Sequence, residues 1–94
     1  MTLADFKNSL SENYPPGDLS VYLQALWYDA KKDWKKAHTL IQDVSDKNAS
    51  WIHAYLHREE GDIWNADYWY SKAGKKRPSV PLDEERDQLV NAFL

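Results

Sequence analysis

The sequence has no cysteine, which removes disulfide staples, thiolate metal ligands and a thiol nucleophile at once. Nothing in it points to an oxidising compartment. Glycine occurs only at Gly17, Gly61 and Gly74, too scattered for a loop that wraps phosphate in backbone N–H groups, and the GxSxG elbow of serine hydrolases is missing too. No apolar stretch nears the roughly 20 residues that a membrane-spanning helix requires. The opening MTLADFK lacks the basic start and apolar run of a secretory leader. The expectation is a cytoplasmic protein with no membrane partner. Basic excess is absent as well: 12 Lys and Arg face 15 Asp and Glu, for a net charge of −3, so little drives counterion release on nucleic acid. The pairs Lys31-Lys32 and Lys35-Lys36 and the run Lys75-Lys76-Arg77 read as solvated helix faces and ends. No nucleic-acid partner is expected.

What the sequence has is rings and helical spacing. Ninety-four residues suit one domain, and five Trp and six Tyr supply large side chains for a small core. No segment alternates apolar and polar residues as a half-buried strand would. Leu3, Phe6 and Leu10 form a short stripe that NYPPGD, residues 13 to 18, ends, because proline disfavours helix before it and has no N–H. A second helix, capped by Asp18, carries Leu19, Tyr22, Leu23, Leu26, Trp27 and Ala30. Asp33 caps a third with Trp34, Ala37, Leu40, Ile41 and Val44 on one side. After the connector SDKN, residues 45 to 48, a fourth helix runs from about Ala49 to Glu60. Gly61-Asp62 then stops one helix and caps the next, which reaches about Ala73. GKKRPSVP, residues 74 to 81, links to a last helix with Leu82, Leu89, Val90 and Phe93 on one face. The expected fold is all-α, five to six helices in one small domain over residues 1–94: hairpins at about 19–45 and 48–78, flanked by helices at about 2–12 and 82–94.

A shift of 29 residues superposes the two hairpins, placing Ala25 on Ala54, Asp33 on Asp62, Ala37 on Ala66 and Ile41 on Tyr70. Small residues and caps are what repeat, as close approach of two helices requires. Ala54, Gly61, Ala66, Tyr70, Ala73 and Pro78 stand at the small, turn, small, aromatic, small and terminating-proline positions of a tetratricopeptide repeat, and NADYWYSKAG looks like the end of a Sel1-like motif. Over about residues 19 to 78 the chain thus resembles the tetratricopeptide and Sel1-like families. Its 29-residue spacing compares with about 34 in tetratricopeptide repeats, Lys32 stands where the turn glycine would be, and His57 replaces the usual aromatic. The segment 51–70 is also similar to a group of short bacterial proteins, a likeness that carries no function over. The resemblance implies antiparallel hairpins and a non-enzymatic protein–protein interaction module, with no cofactor.

Three candidate sites follow. In HAYLH, His53 and His57 sit at i, i+4 with Glu60 a turn further on, a spacing at which two imidazoles and a carboxylate could converge on a metal or small molecule. Against that stands a core reading, with His57 facing the hairpin and His53 half buried beside it. Trp51, Tyr55 and Arg58 share the face that lines the concave surface of tetratricopeptide arrays, and two rings with a guanidinium favour a protein or peptide partner. The terminal helices are the alternative cover for that face. On the fifth helix Ile63, Ala66, Trp69, Tyr70 and Ala73 form the inward stripe, which leaves Trp64 and Tyr68 opposite it. The third helix has Lys35 and Thr39 there, so the second pair is expected to meet the last helix or to serve partner binding or self-association.

Overall fold

A computed structural model describes all 94 residues as six helices without a strand: α1 (Leu3–Ser9), α2 (Val21–Ala30), α3 (Trp34–Ile41), α4 (Lys47–Glu59), α5 (Ile63–Lys72) and α6 (Leu82–Phe93). None is long and apolar enough to cross a membrane. Five of the six begin at a side-chain cap that satisfies an otherwise orphaned amide: Thr2, Ser20, Asp33, Asp46 and Asp62. The second cap is Ser20 where Asp18 was expected, because residues 15 to 20 stay extended or turned after the two prolines. Likewise Asp46 lies inside the expected connector and starts α4 two residues early.

Helices α2 and α3 form one hairpin, α4 and α5 another, and α4 packs on both helices of the first. The two turns are built alike at the 29-residue shift. Lys32 N–H donates to Asp29 O and Asp33 N–H to Tyr28 O; Gly61 N–H donates to Arg58 O and Asp62 N–H to His57 O. Lys32 and Gly61 occupy the left-handed region, at φ 69° and 83°. Only one of the two turns has the glycine that this conformation favours. Ala25, Ala37, Ala54 and Ala66 are fully buried, as close helix approach demands.

The last helix folds back across the first helices of both hairpins, touching α2 and α4, and α1 packs on α6. One core results, with Phe6, Leu23, Leu26, Trp27, Ile52, Tyr55, Leu89 and Val90 buried in it. Trp27 Nε1 donates to Ser9 Oγ at 3.0 Å, and Lys31 Nζ reaches Leu10 O at 2.7 Å, which fastens α1 to the end of α2. A smaller cluster of Ala54, Ala66 and Tyr70 fills the second hairpin. Ile63, expected in that inward stripe, stands at the first turn of α5 and is 38% exposed.

Candidate functional site

The face carrying Trp51, Tyr55 and Arg58 is not open to a partner, because α6 lies on it. Tyr55 is fully buried, and Leu26 and Asp29, the first-hairpin counterparts of Tyr55 and Arg58, are buried as well. At the centre is Glu85, itself fully buried. Its carboxylate accepts from Tyr70 OH at 2.7 Å, Arg58 Nη1 at 2.9 Å and Trp51 Nε1 at 3.2 Å. The other end of the Arg58 guanidinium donates to Val80 O in the linker. Burial, then the hydrogen bond to Glu85, raises the Tyr70 hydroxyl's pKa far above its ordinary value, so it remains a donor. Removing one partner of such a buried pair typically costs about 3–5 kcal/mol, since the other charge is left without water or counterion. The rings and guanidinium that favour a peptide groove thus serve to latch the chain's own last helix. Glu85 was the missed residue, and its signal was legible: an acid one turn from Leu82 and Leu89, inside the apolar stripe of α6.

Trp64 and Tyr68 do point outward. Trp64 is 80% exposed and Tyr68 48%, so α6 does not cover them. Lys72 Nζ lies 5.4 Å from the Tyr68 ring centroid and Arg77 Nε bonds Asp67 Oδ1 at 2.8 Å, so charges of both signs rim the rings. Lys35 and Thr39, their counterparts on α3, are exposed too. The fold leaves this position outward in both hairpins, and only the second places aromatics there.

The three histidines of the chain gather where α3 meets α4. His38 Nε2 lies 3.0 Å from His53 Nε2, so one ring donates and the other accepts. His53 stacks on His57 at 4.9 Å and on Trp69 at 3.9 Å, while Trp34 stacks on His38 at 4.8 Å. Trp34 is itself pinned, its Nε1 donating to Leu56 O at 2.8 Å. His57 Nδ1 is 2.7 Å from Glu60 Oε1 and 3.9 Å from Asp62 Oδ2. His53 is the buried imidazole and His57 the half-buried one, the reverse of the expected core arrangement. The i, i+4 spacing could not decide this, because the burying surface comes from Trp69 and His38 on other helices. Burial, followed by the charges of the neighbouring imidazoles, lowers the pKa of His53 to about 4. Burial lowers His38 as well.

A fourth grouping was not legible at all. Asp29 on α2 and Glu59 at the end of α4 face a cleft of about 420 Å³ that Lys32, Trp34, Tyr55 and Arg86 also line. Asp29 is buried, its Oδ2 accepts no hydrogen bond, and the Arg86 guanidinium stands 3.8 Å from that oxygen. Burial raises the pKa of Glu59, and the hydrogen bond and charge of Asp29 push it the same way. Tyr55 OH donates to Glu59 Oε2 at 3.3 Å. The two acids lie 30 residues apart on different hairpins, a distance that no helical periodicity spans.

Comparison with protein-family models, with curated proteins and with solved structures finds no match to this chain in any of the three.

Proposed function

We propose that the chain is a non-enzymatic helical-hairpin interaction module of the tetratricopeptide or Sel1-like kind, acting through the outer face of α5. The observation that carries this reading is Trp64, four-fifths exposed beside Tyr68 and Ile63 in a chain that tucks most of its other rings away. An indole left in water at a position where the sister hairpin has lysine contributes nothing to the core, whereas Trp and Tyr anchors dominate binding energy at protein interfaces. The repeated turn, caps and buried alanines support the family resemblance. With the face of α2 and α4 closed by α6, binding moves from the concave surface to the flank of the second hairpin.

A second copy of the chain is the partner that this face fits best. Its rim carries Asp67 together with Lys72 and Arg77, and mixed charge of that kind complements itself across a two-fold axis. Sedimentation equilibrium tests the reading. The wild type should associate reversibly with concentration, and Trp64→Lys should weaken association by about 2 kcal/mol or more, roughly thirty-fold, with helicity unchanged. A wild type that stays monomeric up to its solubility limit, or a variant that associates as well as the wild type, overturns it.

A further inference from the structure

Three imidazoles from two helices converge without any core requirement for their nitrogens. One ring nitrogen from each of His38, His53 and His57 lies within 4.8 Å of the other two. Ligand nitrogens about 2.0–2.1 Å from a tetrahedral Zn²⁺ stand roughly 3.4 Å apart. The His38–His53 pair, at 3.0 Å, is already at that scale, and the third imidazole needs a movement of at most about 1.4 Å, within the reach of a χ rotation.

We infer that His38, His53 and His57 form a three-imidazole site for a divalent transition-metal ion such as Zn²⁺, with Glu60 orienting His57 from behind. The sequence pattern alone placed Glu60 among the ligands beside His53 and His57. The geometry gives it a different role. Glu60 Oε1 holds His57 Nδ1 at 2.7 Å, and Asp62 Oδ2 stands 3.9 Å from the same nitrogen. That contact fixes the tautomer with the proton on Nδ1 and leaves Nε2 with its lone pair for a metal, the carboxylate–histidine–metal relay of many zinc sites. His38, from α3, takes the ligand place that Glu60 vacates.

Two further features suit the site to a metal. Trp34 and Trp69 lie against the imidazole planes of His38 and His53, tilted by 14° and 15°, and so restrict ring rotation. His53 is buried and His38 half-buried, so little solvent competes with a metal for their ring nitrogens. The single hydrogen bond between His38 and His53 satisfies one nitrogen at the expense of the other's freedom; a metal ion accepts both lone pairs. No thiolate exists in the chain and no carboxylate joins the three rings within that distance. His38 and His57 are half-buried, so the fourth position opens to solvent and falls to water. An all-imidazole set with water selects Zn²⁺, Cu²⁺ or Ni²⁺ over Mg²⁺ and Ca²⁺, which prefer oxygen.

Isothermal titration of the full, tag-free chain with ZnCl₂ after chelator treatment tests this, with MgCl₂ as control and thermal melts in parallel. The expected result is one Zn²⁺ per chain and none of Mg²⁺. At free Zn²⁺ 100 times its dissociation constant, the unfolding constant should fall about 100-fold. His38→Gln, at a half-buried position, should abolish binding while the metal-free melting temperature stays close to that of the wild type. Glu60→Gln should keep the site but weaken it about 10–100-fold, as loss of an orienting partner does. No Zn²⁺ binding by the wild type overturns the inference, and so does undiminished affinity in His38→Gln. Should His38→Gln prove unfolded, Cu²⁺ quenching of the wild type decides: loss of Trp34 and Trp69 emission at one equivalent supports the site, and unquenched emission rejects it.

Discussion

Glu59 carries a carboxyl group into the cleft beside Asp29, and the protein holds the proton on it more tightly than the unfolded chain does. The sign of the pH dependence follows. A carboxyl whose folded pKa is raised contributes stability that is whole below its unfolded value, 4.5, and is lost as pH rises through the folded value. Histidines 38 and 53 act oppositely, since their lowered pKa values cost stability as pH falls below 6.5. Comparing Glu59→Gln with the wild type cancels the histidine contribution. Between about pH 5 and about pH 7.5 the wild type should lose on the order of 1–2 kcal/mol relative to the variant, a figure discounted for the solvent that reaches Glu59. Urea midpoints at the two pH values measure it, and equal slopes for the two proteins would contradict it. Single residues were also where sequence reading divided most sharply. Trp64 and Tyr68 were legible as outward residues because helical periodicity assigns faces within one helix. The partners of Glu85, Asp29 and His38 were not legible, because each lies on another helix.

Elements were more legible than residues. Every expected helix is present, and the 29-residue shift correctly paired the turns as well as the alanines. Boundaries moved by about two residues where a cap competed with a neighbour, as Ser20 did with Asp18 and Asp46 with its own connector. The first turn carries a cost that the second avoids. Lys32 sits at φ 69°, where a Cβ is unfavourable by roughly 1–2 kcal/mol, whereas its counterpart is Gly61. Lys32 is exposed and lines only the rim of the Asp29 cleft. Lys32→Gly should therefore stabilise the protein by about 0.5–1 kcal/mol once the added freedom of the unfolded chain is deducted. A lower melting temperature in the variant would show that the side chain of Lys32 contributes more than its backbone costs.

On the scale of the whole molecule, α6 decides which surfaces remain for function. Its charged anchor, Glu85, draws Arg58, Trp51 and Tyr70 inward. Most of the ring-dense segment is thereby spent on holding the helices together. The all-α hairpin organisation was readable from spacing and caps; the closure by α6 was readable only as one of two covers for an apolar face, since a sequence does not show which of two amphipathic surfaces meet. What α6 leaves uncovered is the outer flank of α5. The five tryptophans give five indole N–H signals, and a dilution series followed through those signals by NMR tests directly whether that flank is the association surface. The Trp64 signal should shift and broaden as concentration rises while those of Trp27, Trp34 and Trp51 hold still. A Trp64 signal that stays fixed, or movement of Trp51 in its place, would contradict it.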